Sequence, residues 1–370
     1  MPRNTIVMAR FVFVLTLLLT MASVATSADQ RLLYVATPGI RNYLEYGGHG
    51  LLVFEIDNGH RFVKRIPTGG VDDQGAPRNV KGICAHAGTG RIYVGTTQTL
   101  EALDLVTGRR LWERAYDNGC DRMSISPDGT VIYLPTLEKD DWHVISAESG
   151  DVLAVISPKS GAHNTVYGRD GTWCYLAGLR SPLLTVADTA THTAARTIGP
   201  FSAPIRPFTV NGKQTLCFVT VNELLGFEIG DLRTGKMLHH VEVPGFKKGP
   251  VLRHGCPSHG IGLTPDETQV WVCDAHNKRV HVFDATRMPP AYIESIALRD
   301  EPGWVTFTID GQYAYPSSGE VIEVKTRKVA TALTDEEGRA VGSEKLLEID
   351  FRNGVPVANG DQFGIGRVVD

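Results

Sequence analysis

The stretch at 123–156, MSISPDGTVIYLPTLEKDDWHVISAESGDVLAVI, decides the fold of this chain. It reads as four short strands joined by a Pro-Asp-Gly turn, a polar loop and a Ser-Gly turn. A second stretch at 261–296, IGLTPDETQVWVCDAHNKRVHVFDATRMPPAYIESI, has the same order of strands and turns. Self-similarity of this kind indicates a repeat architecture built from four-stranded units.

Weaker copies of the unit begin near Ile83, Thr165, Arg206 and Val305. The aligned turns recur every ~40 to 55 residues, and about 40 is the period of four-stranded propeller blades. The segments at 32–38, 50–59 and 62–68 supply a further, incomplete blade, which makes seven. The stretch EKLLEIDF at 344–351 is expected to provide its missing inner strand.

The sequence therefore predicts an all-β, seven-bladed β-propeller with four-stranded blades, closed by pairing of the N- and C-terminal segments. Period-2 alternation in LLVFEID (51–57) and EALDLVT (101–107) places apolar side chains against the next blade. A β-sandwich or a parallel β-helix does not explain a 40-residue period. We expect residues 29–370 to form one propeller domain.

The first residues resemble an export signal. Arg3 and Arg10 precede or flank an apolar run at 11–21, and ASVATSA at 22–28 offers small residues for cleavage. We expect residues 1–28 to be a signal peptide and the mature protein to be periplasmic or secreted, without a transmembrane span. A retained anchor is the alternative.

The composition argues against nucleic-acid binding and against a cysteine-based motif. The net charge of −4 gives no basic stripe for a nucleic acid. The six cysteines contain no CxxC pair, and those in apolar strands, Cys84, Cys174 and Cys217, are interpreted as small buried hydrophobic residues.

The period, the turn SPDGTVIYL (126–134) and the turn DLVTGRRL (104–111) resemble those of YVTN-type β-propeller repeat proteins of bacteria. These proteins belong with the WD40-like and quinoprotein-like seven-bladed folds. The resemblance implies the fold and an exported protein, but it implies no particular activity. About 13 extra residues separate the fifth and sixth blades, which departs from the repeat.

In such a propeller the inner strands begin at one face, the top, around the axial channel. Their aligned first residues are Lys81, Asp121, His163, Pro204, His259 and Gly303, followed one step further in by Gly82, Arg122, Asn164, Ile205, Gly260 and Trp304, with Arg206 beside them. Charged and imidazole groups from several blades thus converge on one opening, which is typical of a ligand site. The alternative is a solvated polar rim without function.

Loops add further polar residues to the top face. The loops between second and third strands carry Tyr43, Tyr46, His49, Asp140, Asp141, Trp142 and His276, and the long connection between the fifth and sixth blades carries Lys247, Lys248, Arg253, His254 and Cys256. We expect Arg253, His254 and Cys256 to lie at the rim. Cys256 as a nucleophile is a further hypothesis, which requires that a nearby histidine or cation lower the pKa of its thiol.

The candidate ligand-binding residues are Lys81, Asp121, Arg122, His163, Asn164, Arg206, His254, His259, Trp304 and His49. A divalent metal ion is a possible cofactor, with His163, His259 and Asp121 as ligands and His49 or His254 completing the shell. His163 and His259 are also the candidate catalytic residues.

Three functions are compatible with these residues. The first is binding of a small polar or anionic ligand, or of an envelope partner protein, at the channel mouth by a monomer. The second is a metal-assisted lactonase, hydrolase or lyase, in which His163 or His259 acts as general acid or base. The third is a quinone-linked oxidoreductase or its accessory, which ranks last because the sequence has no CxxCH haem motif.

Overall fold

A computed structural model describes Met1 and residues 29–369 of the chain. The expected signal peptide at 1–28 therefore lies, apart from Met1, outside the described residues. In the part of the chain that is described, no helix has the length and apolar character needed to cross a membrane.

The described chain consists of β-strands with three short 3-10 helices, Leu44–Tyr46, Ile56–Asn58 and Ala87–Thr89. The strands, in chain order, are β1 (Gln30–Thr37), β2 (Gly50–Glu55), β3 (Arg61–Ile66), β4 (Val80–His86), β5 (Arg91–Thr96), β6 (Thr99–Asp104), β7 (Arg110–Ala115), β8 (Ser124–Ile125), β9 (Val131–Pro135), β10 (Trp142–Ser146), β11 (Val152–Ile156), β12 (Ala162–Tyr167), β13 (Trp173–Gly178), β14 (Leu184–Asp188), β15 (Thr193–Ile198), β16 (Ile205–Val210), β17 (Leu216–Val221), β18 (Gly226–Asp231), β19 (Met237–Glu242), β20 (Ile261–Leu263), β21 (Gln269–Asp274), β22 (Arg279–Asp284), β23 (Ala291–Ala297), β24 (Val305–Phe307), β25 (Tyr313–Pro316), β26 (Glu320–Glu323), β27 (Lys328–Ala332), β28 (Leu346–Arg352) and β29 (Val355–Asn359).

These strands form seven antiparallel sheets arranged as the blades of a β-propeller, which confirms the predicted fold. Blades 2 to 7 each use four consecutive strands, from β4–β7 in blade 2 to β24–β27 in blade 7. Blade 1 has the order β29-β28-β1-β2-β3, so that β29 adds a fifth strand to the expected four.

The ring is closed by β28, the strand expected from EKLLEIDF. It pairs antiparallel with β1, with Leu32 opposite Ile349 and Tyr34 opposite Leu347. On either side, β28 contacts β24 and β4, the first strands of blades 7 and 2. Ile349 is fully buried in an apolar cluster that blades 1 and 2 share. The C-terminal strand thus completes the core between the first two blades.

Large aromatic side chains fill the space between blades. Trp271 of blade 6 is fully buried and meets Phe307 of blade 7 edge-on, with ring centroids 5.7 Å apart. Trp142, which the sequence places in a top-face loop, instead lies in β10, where its Nε1 donates to Thr165 Oγ1 of blade 4 at 2.8 Å. The expectation for Trp142 was wrong because the strand begins at this residue and turns its indole into the core.

The turns that join the first and second strands of the blades lie at the face opposite the mouth. Their sequences predict tight turns, and the structure confirms this. In the turn at 126–129, Ser126 Oγ and the backbone N–H of Thr130 both donate to Asp128 Oδ1, at 2.5 and 3.0 Å. Gly129 has a φ of +73°, in the left-handed region that favours glycine. The Pro-Asp-Gly sequence is therefore explained by turn geometry.

The segment at 360–368 crosses the axial channel. Gln362 Oε1 accepts from the backbone N–H of Ile83 in blade 2 at 3.1 Å, while the Gly364 carbonyl accepts from Thr209 Oγ1 in blade 5 at 2.7 Å and from the Leu263 N–H in blade 6 at 2.8 Å. Because one segment bonds to blades on several sides of the axis, it blocks the channel and gives the mouth a floor.

Replacement of Ile349 by alanine tests the contribution of ring closure to stability. We expect Ile349→Ala to lower the free energy of unfolding by about 2–5 kcal/mol, because it removes buried methyl and methylene groups and leaves a cavity. The control is Val355→Ala on β29, where the side chain is 60% exposed and the expected change is about 0.5 kcal/mol or less. Urea unfolding of both variants measures the difference, and equal losses would contradict the role assigned to β28.

Candidate ligand site at the mouth of the propeller

A cavity of ≈ 160 Å³ lies at the top of the channel, where the inner strands begin. It is lined by Ile40, Arg41, Asn79, Lys81, Arg122, Glu138, His163, Leu179, Arg206, Arg253, His254, Gly255, His259, Glu344 and Lys345. Six of the residues expected at a ligand site are thus brought together on its wall, namely Lys81, Arg122, His163, Arg206, His254 and His259.

The other four expected residues have different positions. His49 lies apart from the cavity, with its Nε2 3.1 Å from the Gly69 carbonyl oxygen. Asp121 is fully buried behind the wall. Trp304 is buried at the floor, with its ring beneath the Arg122 guanidinium (4.9 Å) and beside Phe363 of the crossing segment (5.8 Å).

Asn164 follows His163 in β12 and is also fully buried. Neither atom of its side-chain amide has a hydrogen-bond partner among the residues that the structure describes. Buried amides are usually paired with protein or ordered water. Asn164 therefore marks a buried polar position, outside the lining of the cavity, at which a water molecule would be stabilised.

Asp121 organises one side of the mouth. His163 Nδ1 donates to Asp121 Oδ2 at 2.7 Å, and Arg122 Nη1 donates to both Asp121 Oδ1 and His163 Nε2 at 3.2 Å. Lys81 Nζ lies 3.7 Å from Asp121 Oδ1. A single buried carboxylate thus orients two cations and one imidazole from three blades.

Protonation states follow from these contacts. Burial opposes the charge on Asp121, but Lys81, His163 and Arg122 outweigh it and hold the pKa of the carboxyl below its usual range. Burial also lowers the pKa of His163 to about 4, against the pull of Asp121. The imidazole is therefore neutral near pH 7. Its Nδ1–H donates to the carboxylate and its Nε2 accepts from Arg122, so that both nitrogens are occupied.

Glu344 and Lys345 form the opposite side of the mouth, and the sequence alignment missed them. Arg122 Nη2 and Lys345 Nζ both donate to Glu344 Oε2 at 2.6 Å. Burial, with Arg122 and Lys81 acting in the same direction, lowers the pKa of Lys345 to about 7 although Glu344 opposes the shift. The sequence held a signal for both residues, because they begin EKLLEIDF, the stretch expected to supply the missing strand of blade 1.

His254 lies inside the cavity, which corrects its expected position at the rim. It is buried, its Nδ1 lies 3.0 Å from Glu344 Oε1, and its ring centroid is 5.2 Å from that of His259. A Cβ added to Gly303 would approach His254 Cε1 to 2.1 Å. The absence of a side chain at Gly303 therefore allows the long loop to fold back into the mouth.

Cys256 is buried beside this site, with its Sγ 3.2 Å from the Ser258 carbonyl oxygen. Burial raises the pKa of its thiol to about 12, which is the opposite of what a nucleophilic thiolate requires. All six cysteines are buried and free in the structure, which agrees with the interpretation of Cys84, Cys174 and Cys217 as small hydrophobic residues.

Arg253 anchors the rim. Its Nη1 donates to Tyr46 Oη and Asp300 Oδ2, at 2.8 and 2.9 Å, and its Nε lies 3.4 Å from Glu301 Oε2. The Arg253 carbonyl accepts from Arg41 Nη2. These contacts tie the long loop to the N-terminal blade and neutralise the charge of Arg253.

The cavity wall carries more positive than negative charge. Its cationic side chains are Arg41, Lys81, Arg122, Arg206, Arg253 and Lys345, and its acidic side chains are Glu138 and Glu344. Carboxylates on or behind the wall offset four of these cations, since Asp300 and Glu301 contact Arg253, Asp121 contacts Lys81 and Arg122, and Glu344 contacts Arg122 and Lys345. Arg206 Nε donates to Asn222 Oδ1 at 2.6 Å. Neither Arg41 nor Arg206 forms an ion pair with a residue in the described part of the chain. The wall therefore favours a negatively charged occupant.

The metal donors in the mouth differ from the predicted set. Among the described residues, one group of three offers ligand atoms that all lie within 4.8 Å of one another, and it consists of His254, His259 and Glu344. Of the predicted ligands, His259 belongs to this group, and so does His254, one of the two residues expected to complete the shell, whereas His163 and Asp121 bond to each other and to Arg122.

No protein-family model and no curated protein matches the sequence. Among solved structures, the chain is similar to hydrazine synthase of Kuenenia stuttgartiensis, with a TM-score of 0.58 and 12% identity, over 77% of this chain and 89% of that chain. A likeness at this identity shows the fold alone. The solved neighbour thus supports the propeller and leaves the YVTN-type repeat family unconfirmed.

Because His163 is neutral in the folded protein, we expect the free energy of unfolding to depend on pH. Its pKa rises from about 4 in the folded protein to near 6.5 on unfolding, so the unfolded chain binds the extra proton between these values. Stability should therefore fall as the pH drops from 6.5 to 4, by up to about 1.4 kcal/mol per pH unit. His163→Gln should flatten this slope, whereas His276→Gln at an exposed position should not. NMR titration measures the imidazole directly, and a His163 pKa near 6.5 would refute the assignment.

Proposed function

We propose that this protein binds a small anion, such as a short carboxylate or a phosphate, in the mouth of the propeller. The observation that carries the proposal is the excess of cationic side chains on the wall of a small cavity, of which Arg41 and Arg206 have no acidic partner among the described residues. A field of one sign inside a concave, low-dielectric site concentrates ligands of the opposite sign.

The size of the cavity supports a small ligand. At ≈ 160 Å³ it is below the range of about 300–1,000 Å³ typical of pockets for drug-sized molecules. The segment at 360–368 blocks passage along the axis, so a ligand enters from the top face. A short anion suits this cavity better than an oligosaccharide does.

Specific donors support the same ligand class. Arg206 has Asn222 and the Gly255 carbonyl as its partners, and it therefore retains its full charge. Lys81 shares Asp121 with Arg122 and His163 and faces the cavity. A guanidinium and an ammonium group from different blades provide the charge-assisted hydrogen bonds that carboxylates and phosphates accept.

We also propose where in the cell the protein binds its ligand. The signal-like residues at 1–28 and the repeat motifs support an exported, YVTN-type protein that meets its ligand outside the cytoplasm. In this setting the rim around Tyr46 and Arg253 is the surface on which an envelope partner would contact the occupied mouth.

Removal of single charges tests the proposal. The metal-free protein is titrated calorimetrically with inorganic phosphate, acetate, malonate and succinate, and with acetamide as the neutral probe. We expect at least one anion to bind, and Lys81→Gln and Arg206→Gln each to weaken it by about tenfold or more, since a hydrogen bond to a charged group contributes ~1.5–3 kcal/mol. Binding should also weaken as salt is added.

The matched control is Arg114→Gln, which removes the same charge from the outer strand of blade 2, where the Arg114 side chain is 53% exposed. Its affinity should equal that of the wild type. Binding of acetamide as tightly as the anions, or equal losses in all three variants, would overturn the proposal.

A further inference from the structure

We propose that His254 and His259 bind one divalent transition-metal ion of the zinc class inside the mouth, with Glu344 as the carboxylate that orients His254. The three side chains are buried and bring one donor atom each within 4.8 Å of the others. They come from the long loop before blade 6, the start of β20 and the start of β28.

The hydrogen bonds leave one nitrogen of each imidazole free. His259 Nδ1 lies 2.9 Å from the Gly303 carbonyl oxygen, which can only accept, so Nδ1 carries the proton and Nε2 carries a lone pair.

His254 has the same arrangement with a carboxylate in place of the carbonyl. Arg122 and Lys345 both donate to the other oxygen of this carboxylate, Glu344 Oε2. The ionised carboxylate accepts from His254 Nδ1 at 3.0 Å, and this leaves the lone pair on Nε2. That Nε2 is buried without a hydrogen-bond partner among the described residues.

This pattern is characteristic of metal-binding histidines. Such residues donate their second ring N–H to a carboxylate or a backbone carbonyl, which fixes the tautomer and the ring orientation. His254 and His259 have one partner of each type. His163 differs, because Arg122 donates to its Nε2 and leaves no lone pair for a metal.

The surrounding charges select the class of metal. Arg122 and Lys345 already hold Glu344 Oε2, so a hard cation such as Ca²⁺ or Mg²⁺ would find few free carboxylate oxygens. Zn²⁺, Co²⁺, Ni²⁺ and Cu²⁺ bind neutral imidazole well. Two imidazoles leave coordination positions open to the cavity, where water or the anion of the proposed function would bind. Only this last point rests on the proposed function.

The test is calorimetric titration of the untagged, EDTA-stripped protein with Zn²⁺, in the absence of added anionic ligand. We expect one equivalent to bind, and His254→Gln and His259→Gln each to weaken binding by about tenfold or more. With Co²⁺, the visible absorption of imidazole coordination should appear in the wild type and disappear in both variants.

Two controls separate loss of a ligand from loss of the fold. His276→Gln, which removes an exposed histidine, should bind Zn²⁺ as the wild type does. Gly303→Ala retains every donor but displaces His254, since its new Cβ would approach the imidazole to 2.1 Å, and it should also weaken Zn²⁺ binding. Far-UV circular dichroism with EDTA present checks that each variant is folded.

Failure of Zn²⁺ to bind the wild type would overturn the proposal, as would full retention of binding in both histidine variants. A loss in His163→Gln as large as in His254→Gln would also overturn it, because it would assign the ion to a different set of ligands. The anion titrations use metal-free protein, so either proposal can fail without the other.

Discussion

Pairing of β28 with β1 is the constraint on which the rest of the structure depends. The N-terminal segment supplies three strands of blade 1, and a propeller with an incomplete blade would expose the apolar faces of its two neighbours. The C-terminal strand completes this blade and buries Ile349 in the cluster shared by blades 1 and 2. Closure also brings Glu344 and Lys345, which directly precede β28, into the mouth and directs the segment at 360–368 across the axis.

Burial of so many charges in the mouth has a cost. Charged groups taken out of water lose solvation, and a buried ion pair often adds no net stability. The mouth compensates with shared contacts, because Asp121 and Glu344 each interact with cations or imidazoles from more than one blade. Such a network is better explained by its geometry, which holds Arg122 and the histidines in fixed orientations for a ligand, than by stability alone.

The sequence predicted those features that depend on local, repeated patterns. Pro-Asp-Gly turns and alternating strands identify the blades, and their alignment places Lys81, Arg122, His163 and His259 at the mouth. The same logic extended to 344–351 would have identified Glu344 and Lys345. Features that depend on tertiary context could not be predicted in this way. The position of His254 depends on how the long loop folds over Gly303, and no local pattern shows that the C-terminal residues cross the channel.

A crystal structure of the protein with malonate or phosphate tests the central claim, that the mouth is a receptor for a small anion, most directly. The account predicts ordered anion density in the mouth, within hydrogen-bond distance, about 3.2 Å or less, of at least two of the groups Lys81, Arg122 and Arg206. Anions ordered only on the outer surface, with the mouth occupied by water alone at the same concentration, would contradict it.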